Sequence, residues 1–281
     1  MAIAPSSADT FFDLLKSAAP WFGVAAFLIF GIWETIRPRV ALRLKTARRW
    51  SLHFLLYLLA IGVIRLLPSL SAIALAAVLR TRSWGLLNHG ALPFAVQILL
   101  GICAIDLADY WKHRAFHSYP ILWRVHILHH SDRDYDFTVG ARFHPIEIFL
   151  DAAVRWAVVA IFVPPPLAVL IADVLMEVST VFVHSNIRLP EPAERIVQWA
   201  TISPQFHRIH HSVEETAQGQ NLGVLFPWWD WCFGTFRRAH GDQDWEVGVK
   251  EISPEQSVEL THILAAPFAS TRNIRVRAAR G

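Results

Sequence analysis

Charged residues and cysteine are what this sequence has least of. Of its 281 residues 17% are charged, against about 25% in an average soluble domain, while 54% are hydrophobic. A chain this apolar, with mean hydropathy +0.35, does not stay disordered and is ill suited to a fold surrounded by water. Its length allows one large domain or two small ones. With two cysteines, Cys103 and Cys232, a disulfide scaffold and a thiolate-bound zinc or iron–sulfur site are excluded. The net charge of +3 is too small to imply a nucleic-acid partner. No basic stretch opens Met1–Pro20, which carries Asp9 and Asp13, so a cleaved signal peptide is not expected. Two residue types are in excess instead. Fourteen histidines point to metal, and twelve tryptophans to a membrane interface.

Three stretches are apolar enough for membrane spans: Trp21–Ile36, Leu52–Leu67 and Ala91–Ala108. Each lies at the short end of the about 17–25 residues a crossing helix needs. A fourth, Ile148–Val183, is interrupted by Pro164, Pro165 and Pro166. Consecutive prolines remove donors and clash with the preceding turn, so this region reads as two antiparallel helices, a hairpin pushed into the bilayer. Leu70–Leu79 is too short to span and reads as an interfacial or small core helix. Arg155 and Glu177 fall at similar depth in the hairpin, and a charge in lipid is costly unless paired. An Arg155–Glu177 ion pair is therefore expected, with Asp173 as the other candidate partner. Between the first two spans stand Arg37, Arg39, Arg43, Lys45, Arg48 and Arg49, against Arg80 and Arg82 in the next loop. The positive-inside rule puts the first loop in the cytoplasm and the N-terminus opposite. Everything after the third span, outside the hairpin, is then cytoplasmic. The end of the chain from Ser253 is mixed and basic, and reads as solvated or facing headgroups.

The histidines fall into clusters: His113-Arg-Ala-Phe-His117, His126-Ile-Leu-His129-His130 and His207-Arg-Ile-His210-His211. At this histidine frequency an HxxHH arises by chance about 0.03 times per chain, so two of them are a signal rather than an accident. Residues three and four apart share a helix face, so each cluster aims two or three imidazoles at one region. Pro120, and Ser203 followed by Pro204, supply helix starts ahead of the two HxxHH clusters. The helix carrying His113 and His117 is expected to be the third span running out of the membrane. Eight imidazoles exceed what one octahedral ion takes, whereas two ions use eight or nine, and His184 at the end of the hairpin is the candidate ninth. All-imidazole ligation suits iron, copper, zinc or nickel. HExxH is absent, which removes the common zinc-peptidase arrangement. His144 is a ligand, an outer partner, or a turn residue; His53 and His89 read as interfacial, and His240 and His262 as exposed.

These clusters, together with Asp106–Arg114, Arg142–Glu147, His184-Ser-Asn186, Ser203–His211, Asn221-Leu-Gly and Trp229–Thr235, resemble the membrane fatty acid hydroxylase/sterol desaturase superfamily. The resemblance runs from about Ile98 to Phe236. It implies an integral-membrane, all-α helical bundle with a cytoplasmic histidine-rich di-metal cap. It implies a non-haem di-iron centre that uses O₂ to hydroxylate or desaturate a membrane lipid, with His113, His117, His126, His129, His130, His184, His207, His210 and His211 as ligands. Electrons are expected from a separate cytochrome b5-like or ferredoxin-like donor protein, since no such domain is visible in the chain. The implied organisation is an N-terminal transmembrane region over 1–90, a catalytic domain with the hairpin over 91–240, and a tail over 241–281. Asp106 and Asp109, two turns and one turn before His113, are expected to orient imidazoles, and Asn221 either to bond a metal-bound water or to cap a turn. Two other classes remain open on the residues alone: a membrane di-zinc hydrolase, and a metal transport or storage protein. Transport predicts ligands strung along a path between spans, whereas here they gather on one side.

Overall fold

The computed structural model describes residues 7–66, 71–88, 92–238 and 244–268. His89 and His240, like the basic residues from Arg272 onward, lie outside them. Among the described residues there is no strand, only an isolated antiparallel bridge between Ser212 and Val247. The long elements are α1 (Ser7–Ile36), α2 (Thr46–Leu66), α3 (Ala72–Arg80), α4 (Phe94–Ser118), α5 (Pro120–His130), α6 (Pro145–Phe162) and α7 (Pro166–His184). There follow α8 (Glu191–Ala200), α9 (Pro204–His210) and four short helices: α10 (Glu215–Gln218), α11 (Trp228–Cys232), α12 (Pro254–Ser257) and α13 (Leu260–Ala265).

Four helices are long and apolar enough to cross a membrane: α1 from Thr10, α2 to Ile64, α4 and α7. α2 and α4 are longer than their apolar runs because each continues into polar sequence that packs against the cap, whereas α1 is extended at its other end, ahead of Trp21. α4 is about 37 Å long at 1.5 Å per residue, so it spans hydrocarbon and still carries His113 and His117 beyond it. Outward faces of α1 and α2 expose Trp21, Leu28, Ile29, Ile32, Phe54 and Leu58. Side chains of this kind are stable there only against lipid. Inside, α3, α4, α6 and α7 share a core of Ala76, Ile105, Val159, Val169 and Ala172. Gly101 of α4 lies so close to Pro164 and Ala168 that a Cβ would force them apart.

The proline break between α6 and α7 leaves the last carbonyls of α6 without following N–H groups. Residues 80–87 supply the donors. Leu86 and Leu87 donate backbone N–H to Ile161 and Phe162 at 3.1 and 2.8 Å, the Trp84 indole to Ala160 at 2.6 Å, and Arg80 to Val163 at 3.3 Å. Val163 adopts a left-handed backbone, φ 47°, at this C-cap. Gly85, φ 95°, must be glycine both for that backbone and because a Cβ would overlap Val163. The hairpin tip thus reaches the end of the bundle where α3 and the start of α4 lie.

At the other end the α1–α2 region is clamped to the cap. Arg49, fully buried, pairs with Asp132 at 2.9 Å and Asp136 at 2.6 Å. Asp134 accepts from the N–H groups of Arg43 and Leu44, and Glu34 from those of Phe137 and Asn186. His53, expected at the interface, is instead buried between Thr138 and Asp132, because α2 packs its polar first turns against the cap. The chain from Ser253 also departs from expectation. Val258 and Ile263 pack with Leu52, Leu56 and Leu128, so residues 253–268 form part of the cap rather than a solvated end.

Candidate metal centre

The two HxxHH clusters divide their imidazoles between two groups, and helix geometry explains how. Within HxxHH the first and third histidines lie about 40° apart around the helix and the middle one about 60° to the other side. α5 accordingly sends His126 and His130 to one group and His129 to the other; α9 sends His210 to the first, and His207 with His211 to the second. α4 adds His113 and His117 to the first, and α7 adds His184 to the second. In each group the nearest ring nitrogens lie within 4.8 Å of one another, and all of these side chains are buried. The helix starts match the sequence reading. Pro120 and Pro204 occupy the first turn, and the Ser203 hydroxyl accepts from Phe206 N–H at 3.2 Å.

The outer edges of five of the rings are held. Nδ1 of His113 donates to the Leu222 carbonyl at 2.8 Å, His184 to Thr180 at 2.7 Å, His210 to Gln220 at 3.0 Å and His129 to Arg142 at 3.3 Å. Nδ1 of His126 bonds Glu147 at 2.6 Å. A proton committed to Nδ1 leaves Nε2 with a lone pair turned inward. Nε2 of His113, His117 and His210 is buried with no hydrogen-bond partner. Nε2 atoms of His129, His184, His207 and His211 follow one another at 3.2 Å, as do those of His126 and His130. Two nitrogens bound to one ion at about 2.0–2.1 Å stand about 3 Å apart. The donor set therefore fits two histidine-bound metal ions, one per group. Burial, reinforced by neighbouring imidazoles, holds His126, His129, His130, His207, His210 and His211 well below the ordinary histidine range, so all six are neutral, as metal binding requires.

Several expected residues do other things. Asp106 bonds no imidazole; it accepts from the N–H groups of Leu225 and Phe226 and from the Trp229 indole at 2.7 Å, pinning the loop before α11. Asp109 pairs with Lys112 at 2.8 Å and Arg155 at 3.0 Å. Asn221, φ 56°, ties Phe206 and Arg237 into a turn. His144 caps α6, accepting Ile146 N–H on Nδ1, and reaches neither imidazole group. Nor does Arg155 meet Glu177: it binds Asp173 at 3.0 Å as well as Asp109. Glu177 lies one turn on and about 40° further round α7, which points it at Gly23 of α1.

Three residues went unassigned in the sequence. Glu147 sits inside a quoted motif, but nothing in its spacing links it to His126. Arg142 is fully buried, donating to Leu128, Ser131 and Ser257, and its carbonyl takes His129. Asp230, pushed up to about 6 by burial, accepts from Leu222 and Gly223 N–H and so fixes the carbonyl that holds His113. A cavity of about 260 Å³ between α4, α6 and α7 ends on His113, His126, His129, His184 and His207. Its walls are apolar at Phe116, Phe143 and Met176 and charged at Asp109, Lys112, Asp151 and Arg155.

Residues 98–235 match the fatty acid hydroxylase family. Curated relatives include alkylglycerol monooxygenase of Homo sapiens, 28% identical over 47% of this chain and 28% of that protein. Ornithine lipid hydroxylase OlsE of Rhizobium tropici is 29% identical over 56% of this chain and 46% of that one. Very-long-chain aldehyde decarbonylase GL1-8 of Oryza sativa is 30% identical over 50% and 51%. The matches thus span about half or less of each relative's length. No solved structure matches the chain.

Proposed function

Because residues 98–235 make this chain a member of the fatty acid hydroxylase family, we propose that it is an O₂-dependent di-iron oxidoreductase that hydroxylates a membrane lipid. The observation that carries this reading is the pair of buried all-imidazole groups at the end of a cavity lying between apolar helices. His113, His117, His126, His130 and His210 would hold one ion, and His129, His184, His207 and His211 the other. Iron is favoured over zinc because attack on an unactivated C–H bond needs a redox-active metal. When bound, the two ions supply the reduction of O₂ and the removal of hydrogen from carbon.

The protein's own residues position the substrate and keep the site dry. Phe116, Phe143, Met176, Val183 and Val224 give an apolar passage for a lipid chain. Asp109, Lys112, Asp151 and Arg155 form a polar layer one to two helical turns from the histidines, suited to the polar part of a lipid rather than its tail. The relatives named as monooxygenase and hydroxylase favour oxygen insertion over desaturation. Electrons would come from a separate cytochrome b5-like or ferredoxin-like protein. The basic run from Arg37 to Arg49, clamped to the cap, favours a cytoplasmic metal centre by the positive-inside rule.

The test combines metal analysis of the purified protein with lipid mass spectra from cells with and without it. Two irons per chain and a lipid gaining one oxygen, only when O₂ and a reductant are present, are expected. His129→Ala or His210→Ala should abolish that product. Turnover without O₂, or full activity with zinc alone, would replace this reading with hydrolysis.

A further inference from the structure

A second, smaller cavity of about 80 Å³ opens on the cap where the α1–α2 loop meets residues 244–247, and none of the site histidines lines it. Arg208 forms part of its wall. It lies in α9 next to His207, yet its guanidinium stacks over Tyr135 at 5.2 Å instead of joining the histidine cavity. The residue is 5% exposed, and its Nε and Nη1 have no acceptor. Trp245, in the same wall, buries an indole N–H that also lacks an acceptor. A cation taken from water without an anion is costly. Unmet donors of both kinds around one small cavity describe a seat for an oxyanion.

The chain's own carboxylates at this cavity are committed elsewhere. Asp134 gives its oxygens to the backbone N–H groups of Arg43 and Leu44 at 2.7–3.0 Å. Asp244 faces Arg39 at 3.5 Å, and Glu246 faces Arg133 at 3.8 Å. The volume admits a group the size of phosphate. One wall, Val40–Arg43, begins four residues beyond the end of the α1 span and belongs to the basic run between α1 and α2. That is the depth at which lipid phosphates lie and basic segments attract them. We propose that the Arg208 cavity is a phosphate-binding site, filled by a lipid headgroup or by free inorganic phosphate. Occupancy joins the α1–α2 loop and residues 244–247 to α9, the helix that carries His207 and His210.

Thermal unfolding of the full metal-loaded chain tests this. In lipid-free detergent, inorganic phosphate should raise the midpoint saturably, and chloride at equal ionic strength should not. In phosphatidylcholine nanodiscs the sources separate. If a headgroup is bound, adding phosphatidic acid raises the midpoint and further phosphate does nothing; if free phosphate is bound, only phosphate raises it. Arg208→Met should abolish the response. Since that change also removes the stacking on Tyr135, Trp245→Phe serves as the milder variant, raising the half-saturating phosphate concentration about three- to tenfold. No saturable shift with either ligand, an equal shift with chloride, or an unchanged response in both variants overturns the site. So does a midpoint moved only by an acidic soluble protein.

Discussion

Glu147, in the first turn of α6, bonds Nδ1 of His126 on α5 at 2.6 Å, so the base of the hairpin and one imidazole group are directly joined. Among the described residues it is the one carboxylate behind the nine histidines; the other outer contacts that hold Nδ1 are backbone carbonyls. Outer partners of this kind set ligand orientation and basicity. Glu147→Ala should therefore weaken metal binding about 10- to 100-fold, and Glu147→Gln, which keeps an acceptor oxygen, should lose less. Metal content at limiting iron measures both. An alanine variant that retains full metal would show the contact to be dispensable.

The charged layer around Arg155 yields an asymmetric prediction. Asp109 is 6% exposed and Asp173 45%, although both lie 3.0 Å from Arg155. Asp109→Ala removes the buried carboxylate that Arg155 shares with Lys112 and should cost about 3–5 kcal/mol. Asp173→Ala removes the more exposed partner and leaves Asp109 in place, so it should cost less. Glu177→Gln should leave Arg155 undisturbed. Denaturation of the three variants side by side checks the order, and equal losses at Asp109 and Asp173 would contradict it.

Acid should destabilise the metal-free protein in a defined window. The six imidazoles of α5 and α9 with its C-cap are depressed in the folded chain by burial and by one another. In the unfolded chain each takes a proton as pH falls through about 6.5. The unfolded state then binds more protons, so stability is level above that pH and falls below it. Melting temperatures of metal-free protein should be constant between about pH 7 and 8 and drop from about 6.5 to 5. Loaded protein should resist further into acid, until protons displace the metal. A metal-free protein that gains stability on acidification would refute the neutral-imidazole assignment.

Single cysteines in a background lacking Cys103 and Cys232 test the sidedness. Lys45 and Thr216 are exposed at the cap end, and Ser71 is exposed just ahead of α3, at the end reached by the hairpin tip. Lys45→Cys and Thr216→Cys should react with an impermeant reagent from the cytoplasmic side, and Ser71→Cys from the other. Labelling of all three from one face would mean that α2 does not cross.

The sequence made the helices, the hairpin and the grouping of histidines legible, because each rests on local rules: apolar runs, proline positions and the 3.6-residue period. What it hid is what depends on the third dimension. Asp106 lies on the expected turn of α4, yet its neighbour there is the Leu225–Trp229 loop, some 120 residues on. Glu177 is at the expected depth but faces α1, because the rotation of α7 is set by packing that no periodicity reports. Arg49 stands in the basic stretch between the first two spans and Arg142 inside a motif with no role assigned to it, and both are fully buried. Their partners, Asp132, Asp136 and Ser257, come from distant segments.

The hairpin tip has a bearing on how the protein is made. The carbonyls that three prolines leave stranded at Ala160–Val163 find their donors in Arg80–Leu87, which leave the ribosome some 75 residues earlier. α6 therefore enters a bilayer in which its docking groove is already waiting, and translation order does the work of a chaperone. Were the same segments presented in reverse, those carbonyls would meet lipid before they met a hydrogen bond.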